Sequence, residues 1–237
     1  RLIIIGNLFR IAKQFALLDQ NVFEGMRITI PKGAEAEGYR PFTKEELVDI
    51  FKDLNKMRFN ERRFIPLMLL CTGSRVADIS MLRHTDLKQT SKGIYYFDMR
   101  HEPIGKYPHP LKGGKSDERH EPLHPVLIER GIPSLFKKGN EGYIFENECN
   151  RKSDLLSGWF KRILDRLEIY EKGVGMHSLR GSFIDMMRNA RIPEDARRAM
   201  TAHSSKDVQD RNYGEGLPFM PDILYKEIKK IDFSWLP

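Results

Sequence analysis

The sequence has 237 residues, a length that fits one or two domains. Hydrophobic residues make up 40% of it, which is enough for a buried core and excludes a wholly disordered chain. Lysine and arginine number 40 against 33 aspartate and glutamate, so the net charge of +7 favours a polyanionic partner without excluding other soluble classes.

The first 20 residues predict one amphipathic helix, because Leu2, Ile5 and Phe9 recur at helical spacing. Basic residues interrupt this apolar run, so it falls short of the ~18 uncharged residues of a membrane span. Residues 21–40 are rich in glycine and proline and are typical of a linker. A lone helix before a linker indicates the end of a preceding domain, most of which lies outside this sequence.

The remaining chain predicts a mainly helical domain. Thr43 and Glu46 form the pattern of a capping box and predict a helix over residues 44–57. A second helix is expected to end at Gly73, and Ser74 is placed to cap a third. Later helices are predicted over 154–167, over 178–189, from Pro193 onwards, and over 221–235 at the end of the chain.

Residues 92–125 differ in character from the helical segments. Ile94 to Met99 form a run rich in strand-forming residues, and Gly113 and Gly114 predict a turn between two short extended pieces. This pattern indicates a small antiparallel sheet. The predicted fold class is therefore α+β, mainly α with a small antiparallel β-sheet.

Two stretches carry side chains suited to phosphate chemistry. Arg75 begins a predicted helix and Asp78 follows one turn later on the same face. A guanidinium at a helix N-terminus offers an anion both backbone N–H groups and a planar fork, whereas a plain surface ion pair is worth under about 1 kcal/mol. Lys112 and Lys115 lie on the predicted hairpin, where a lysine with a lowered pKa can donate a proton; an ordinary charged turn is the alternative.

Two further stretches pair a histidine with a second functional side chain. His177 and Arg180 stand on one helical face, and His203 precedes Tyr213 by ten positions. Taken alone, each histidine is compatible with a structural role, and the tyrosine with a partly buried aromatic whose hydroxyl is solvated.

Patterns for metal and nucleotide binding are absent from the sequence. His177 and His203 have no second ligand at zinc spacing, and two cysteines, Cys71 and Cys149, are too few for a cysteine-rich zinc site or a disulfide framework. No phosphate-binding glycine loop occurs. We therefore expect no metal and no cofactor, and a reducing environment.

In this order, the four stretches resemble the signature of the tyrosine recombinase (phage integrase) family over about residues 40–237. The sequence departs from that pattern at Gly181, where a histidine is usual, at Ala202, where a glycine is usual, and in a slightly longer spacing before the tyrosine. The motifs that match are T-G-x-R-x-x-D at 72–78, the hairpin lysine at Lys112 or Lys115 ahead of Arg119, H-x-x-R at 177–180, the histidine box at 202–205, and Tyr213.

The resemblance implies the tyrosine recombinase catalytic fold in residues 41–237, with residues 1–40 as the end of a core-binding domain plus linker. It also implies a site-specific integrase that cleaves and rejoins DNA through a covalent 3′-phosphotyrosyl intermediate, without metal or ATP. Asp78 is expected to orient Arg75 and His177. The catalytic residues it implies are Arg75, Lys112 (with Lys115 as the alternative), His177, Arg180, His203 and Tyr213.

The implied partner is double-stranded DNA, bound by a homotetramer that joins two sites through a Holliday junction, with an accessory DNA-bending protein and no membrane. The implied setting is a mobile genetic element in the cytoplasm of a prokaryotic host, at the nucleoid. The terminal helix, 221–235, is a candidate for docking on a neighbouring subunit, or else packs on its own domain. Two other functions remain open: a type IB topoisomerase-like nicking-closing enzyme and a catalytically inactive DNA-binding regulator.

Overall fold

The computed structural model describes residues 2–26, 39–57, 61–146, 153–202 and 216–237. The chain divides into two compact units, residues 1–37 and 38–237. In the first unit, helix α1 (Leu2–Gln14) is shorter than predicted, because Ala16 takes a left-handed conformation (φ 53°) that ends it. Most of the predicted linker, residues 27–38, lies outside the described residues.

The second unit consists of helices around a small sheet, which confirms the predicted α+β class. Within the described residues, no helix has both the length and the apolar character to cross a bilayer. The described helices are α2 (Lys44–Asn55), α3 (Phe64–Thr72), α4 (Val76–Ser80), α5 (Pro125–Glu129), α6 (Ser153–Arg166), α7 (Met176–Asn189), α8 (Glu194–Thr201) and α9 (Pro221–Ile228). The strands are β1 (Leu87–Gln89), β2 (Tyr95–Met99) and β3 (Arg119–Pro122).

Helix α2 begins as the sequence predicts. The Thr43 hydroxyl accepts a hydrogen bond from the Glu46 N–H, and the Glu46 carboxylate accepts one from the Thr43 N–H, so the capping box is confirmed. The apolar face of the helix, including Leu47 and Ile50, is fully buried in the core.

Helix α3 ends at Gly73, also as predicted, with a left-handed φ of 68°. A Cβ atom at this position would lie 2.4 Å from the Phe183 ring of α7, so only glycine allows both the turn and the close packing of the two helices. The prediction that Ser74 caps the next helix is wrong. Arg75 occupies the N-cap position of α4, and the Ser74 hydroxyl donates instead to Glu121 on β3.

The sheet is antiparallel in the order β1-β2-β3, and Met99 of β2 pairs with Arg119 of β3. Residues 100–118 connect β2 to β3 and contain a short 3₁₀ helix at Gly114–Asp117. The predicted turn between two extended pieces is therefore wrong in detail, since Gly113 leads into a helical turn. The Asp117 carboxylate holds this turn by accepting the Gly113 N–H.

The end of the chain packs on its own unit. Helix α9 ends at Ile228, so the predicted helix over 221–235 is too long. The following segment is held by the His124 ring, which donates to the Ile231 carbonyl over 3.0 Å, and by burial of Phe233 and Leu236. This arrangement favours the second of the two roles considered for the terminal segment.

Candidate active site

Arg180 of α7 reaches the turn that carries Arg75. Its side chain is 5% exposed, and its two Nη nitrogens donate to the carbonyls of Gly73 and of Thr201 at the end of α8. The guanidinium thus spans two chain segments far apart in sequence. Gly73 stands two residues before Arg75, so the contact brings the two predicted arginines to one place.

The surroundings of Arg180 carry an excess of positive charge. The pKa of Arg180 is lowered to about 10, chiefly by its burial and then by the positive charges of Arg75 and Arg119. The carboxylates of Glu121 and Asp78 act in the opposite direction without cancelling this effect. Cations that lie close together in a partly buried site repel each other, and an anion that binds between them relieves this repulsion.

His177 lies in the first turn of α7, one helical turn before Arg180. Its ring centre is 5.0 Å from that of Tyr39. The pKa of His177 is lowered by partial burial first, and then by the positive charges of Arg180, Arg75 and Lys112. The ring is therefore neutral at neutral pH and can accept a proton.

Both candidate lysines are exposed on the connection between β2 and β3. Lys112, and not Lys115, is among the cations that lower the pKa of His177. Lys112 thus acts electrostatically on the imidazole, as Arg75 and Arg180 do. His203 and Tyr213, the other two predicted catalytic residues, lie outside the described residues.

Asp78 does not orient Arg75 or His177 as expected. Its carboxylate is 1% exposed and lies 3.6 Å from Arg119 Nη2, and neither of its oxygens accepts a hydrogen bond from another described residue. Helical spacing alone placed Asp78 on the face of Arg75, but β3 supplies the nearer cation. Asp117 takes the expected role, since its carboxylate accepts a 2.6 Å hydrogen bond from Arg75 Nη1.

Arg119 forms a buried polar network behind the two arginines. It is 1% exposed and donates to the Ser74 hydroxyl over 2.6 Å and to the Glu121 carboxylate over 3.1 Å. Burial raises the pKa of Glu121, while Arg119 and the Ser74 hydrogen bond oppose that rise. Because Ser74 lies between Gly73 and Arg75, the network fixes the backbone of the arginine turn.

No group of three or more metal-ligating side chains occurs among the described residues. What the described site offers is a set of cations, with one neutral imidazole beside them. Such a set suits a phosphate group that gains negative charge during a reaction.

No protein-family profile and no curated protein matches this sequence. Solved structures do match. The XerH site-specific recombinase bound to its difH substrate is 16% identical, with a TM-score of 0.54 over 88% of this chain and 53% of that chain. The integrase from mycobacterium phage Brujita is 18% identical, with a TM-score of 0.54 over 96% of this chain and 69% of that chain. This chain has the tyrosine recombinase fold.

A lambda integrase dimer bound to a core site has the same fold, at 17% identity and a TM-score of 0.55, over 89% of this chain and 59% of that chain. The chain spans about half the length of the recombinase first named above. At such identities the likeness establishes the tyrosine recombinase fold and leaves the chemistry to be argued from the side chains.

Sequence reasoning missed Asp117 and the buried roles of Arg119 and Glu121. For the last two a signal existed, because they stand two apart in a short strand and so point to one face. That face is buried, and buried opposite charges have to pair with each other or with another polar group. For Asp117 no local signal existed, since its partner Arg75 lies 42 positions away.

Proposed function

We propose that this chain is a site-specific tyrosine recombinase, which cleaves and rejoins DNA through a covalent 3′-phosphotyrosyl intermediate. The observation that supports the proposal is that Arg75, Lys112 and Arg180, from three separate stretches of the chain, all act on the His177 imidazole and lower its pKa. Arg180 is 5% exposed, and its pKa is lowered by burial and by the positive charges of Arg75 and Arg119, which supports a place for an external anion.

The two guanidiniums stabilise the charge that builds on the scissile phosphate. A phosphodiester carries one negative charge, and attack on phosphorus adds a second on its non-bridging oxygens. Arg75 and Arg180 donate charge-assisted hydrogen bonds to these oxygens, and His203 adds one more. Donors fixed in advance in a partly buried site contribute far more than donors in water.

The nucleophile of the proposed reaction is the Tyr213 hydroxyl, whose unperturbed pKa is about 10. Neutral His177 assists removal of its proton as the oxygen forms a bond to phosphorus. The bond from phosphorus to the 5′ oxygen breaks, and Lys112 protonates that leaving oxygen. The phosphodiester is kept as a phosphotyrosyl ester, so the reverse reaction rejoins the strand without ATP.

The proposed partner is double-stranded DNA, held through its phosphates by a chain of net charge +7. Exchange of strands between two sites requires two cleavages on each duplex. We therefore propose a homotetramer on two DNA sites, a Holliday junction intermediate and an accessory DNA-bending protein, in the cytoplasm of a prokaryotic host that carries a mobile element.

The test uses nicked duplexes with a randomised central region, which trap a covalent product because the cleaved end diffuses away. Covalent complexes are isolated on denaturing gels and their DNA is sequenced. We expect a covalent band for the wild-type chain, none for Tyr213→Phe, and a loss of about 100-fold for Arg75→Ala or Arg180→Ala. A wild-type chain that binds DNA but forms no covalent product indicates the inactive regulator.

A native gel separates the two active alternatives. Recombination requires a complex that holds two duplexes, whereas a type IB topoisomerase relaxes supercoiled DNA on one duplex alone.

The two candidate lysines are separated by their alanine variants. Lys112→Ala is expected to abolish cleavage and Lys115→Ala to retain it. The opposite result assigns the proton to Lys115.

A further inference from the structure

One carboxylate oxygen joins the two sides of the candidate active site. Asp117 Oδ2 accepts a hydrogen bond from Arg75 Nη1 over 2.6 Å and another from the Gly113 N–H over 2.8 Å. The first donor begins α4, and the second belongs to the turn that directly follows Lys112. Asp117 is 5% exposed, so both hydrogen bonds are shielded from water.

The close contact between Asp117 and residue 113 leaves no space for a side chain at Gly113. A Cβ atom on Gly113 would lie 2.3 Å from Asp117 Oδ1 and 2.5 Å from its Cγ, closer than any side chain tolerates. The carboxylate cannot swing aside to make room without giving up Arg75. Glycine is therefore needed at this position because Asp117 approaches so closely. It is not needed for a left-handed backbone, since its φ is −90°.

The backbone of Lys112 is consequently held on both sides. The preceding residue, Leu111, is buried, and its N–H donates to His101 Nδ1 over 3.0 Å. The following residue is Gly113, which is held by Asp117. The Lys112 side chain is exposed, but its attachment point is fixed relative to the Arg75 guanidinium.

We propose that Asp117 is a positioning residue that sets the distance between the phosphate-binding Arg75 and the proton donor Lys112. The inference rests on the proposed function and deepens it. In that reaction Arg75 contacts a non-bridging oxygen while Lys112 reaches the 5′ oxygen of the same phosphate. Both oxygens are bonded to phosphorus, so the distance between them is fixed. Arg75 and Lys112 therefore have to be held at a distance from each other that fits both oxygens. A misplacement of about 1 Å at such a site costs about 100-fold in rate.

The first part of the test observes the bridge directly by NMR in the free protein. In Asp117→Ala the Gly113 amide is expected to exchange with water at least tenfold faster, and the Arg75 Nη protons to lose their protection. Asp117→Asn keeps an acceptor for Gly113 and so keeps the amide protected. Unchanged Gly113 and Arg75 signals in Asp117→Ala overturn the proposal.

The second part measures single-turnover cleavage of the selected nicked duplex at saturating protein. We expect a loss of about 100-fold for Asp117→Ala and Gly113→Ala, and about tenfold for Asp117→Asn, whose carbonyl oxygen can accept both hydrogen bonds but carries no negative charge for Arg75. The matched control is Glu102→Gln on the same connection between β2 and β3, because the Glu102 carboxylate pairs with Arg83 and not with Arg75. It is expected to cleave at the wild-type rate.

The third part distinguishes positioning from general damage. A duplex with sulfur in place of the scissile 5′ oxygen releases a thiolate, which needs no proton because a thiol has a pKa of about 8.5. If Asp117 acts through Lys112, its loss costs about 100-fold with oxygen but about tenfold with sulfur. An equal defect on both substrates overturns the proposal.

Failure of the proposed function gives a different result. If wild-type protein forms no phosphotyrosyl product, the recombinase assignment fails, and the NMR signals of Gly113 and Arg75 still decide whether Asp117 forms the bridge. If wild-type protein cleaves and the Asp117 variants cleave as fast as the control variant, the proposed function stands and the positioning role of Asp117 is wrong.

Discussion

Ala202 takes a conformation that alanine disfavours. It ends α8 with a left-handed backbone (φ 50°, ψ 42°), and its N–H donates to the Arg198 carbonyl. Glycine is usual here in the resembling family, and glycine adopts this conformation without the clash that a Cβ atom causes. Ala202→Gly is therefore expected to raise the free energy of unfolding by about 0.5–1 kcal/mol in urea denaturation.

Ala190 offers a matched control, since it also ends a helix, α7, but with an ordinary φ of −77°. Ala190→Gly removes no strain there and is expected to lower stability by up to about 1 kcal/mol. Equal effects of the two glycine substitutions would show that backbone strain at Ala202 contributes nothing.

Gly181 is the second departure from the family pattern, and it lies beside Pro41. A Cβ atom on Gly181 would lie 3.6 Å from the Pro41 side chain and 3.8 Å from its backbone. The segment that carries Pro41 is tied to α7 through the Phe42 N–H, which donates to the Ser182 hydroxyl over 2.9 Å. A histidine at 181 begins in contact with this segment, so its ring has to pack against Pro41 or turn away from it.

We predict that Gly181→His lowers the free energy of unfolding by about 1–3 kcal/mol through overpacking. Gly181→Ala makes an ordinary contact and gains helix propensity, so it is expected to be neutral or to stabilise by up to about 1 kcal/mol. Urea denaturation of both variants checks this, and a histidine variant as stable as wild type would disprove the packing argument.

The site residues that sequence alone could predict are those that stand in local patterns. Gly73 and Arg75 follow from a helix end and a helix start, and His177 with Arg180 from helical spacing. Asp78 was assigned to Arg75 by the same rule, yet it faces Arg119. Contacts between elements depend on how strands and helices pack, and no spacing along the chain encodes that.

At the scale of elements, long amphipathic helices are predictable and very short helices are not. The capping box at Thr43 predicts the start of α2 to the residue, and the helix predicted over 154–167 agrees with α6 to within one residue at each end. In a half-buried strand the residues on the buried face are usually apolar. In β3 the buried residues include the charged Arg119 and Glu121, so the usual pattern does not predict this strand. Helix α5 has only five residues, too few for a periodic pattern.

Helix α5 contains a pH-sensitive cap, His124. Its Nδ1 accepts the Val126 N–H over 3.1 Å and its Nε2 donates to the Ile231 carbonyl, so the neutral ring serves both partners. Burial lowers the pKa of His124 to about 4, below the ~6.5 of an unfolded chain. The unfolded state binds the proton more readily, so stability is lost as pH falls from about 6.5 to about 4.

We predict that the free energy of unfolding of the wild-type chain falls by about 2–3 kcal/mol over that pH range through this one group. His124→Asn keeps an N-cap acceptor but cannot be protonated there. It is expected to be less stable than wild type at pH 7 and to show a smaller loss on acidification. A variant with the full wild-type pH dependence would exclude His124 as its source.

At the scale of the whole molecule, a buried core and a partly buried basic site place opposite demands on charge. The core takes up Arg119 and Glu121 as a pair, while Arg75, Arg180 and Lys112 keep an excess of positive charge at the site. The cost of that excess is offset when phosphates bind, because DNA then releases its condensed counterions. The same physics makes the salt dependence of binding a measure of which cations meet phosphates.

We predict that DNA affinity falls steeply with salt, and that Lys112→Ala reduces the slope of log Kd against log salt concentration by about 1. Lys161 is the matched control, since its ammonium already pairs with Asp165 over 2.8 Å on the surface of α6. Lys161→Ala is expected to leave the slope unchanged. Fluorescence anisotropy with a labelled duplex at several salt concentrations measures both. Equal slopes for Lys112→Ala and wild type would mean that Lys112 does not reach the phosphates, which leaves the leaving oxygen without this proton donor.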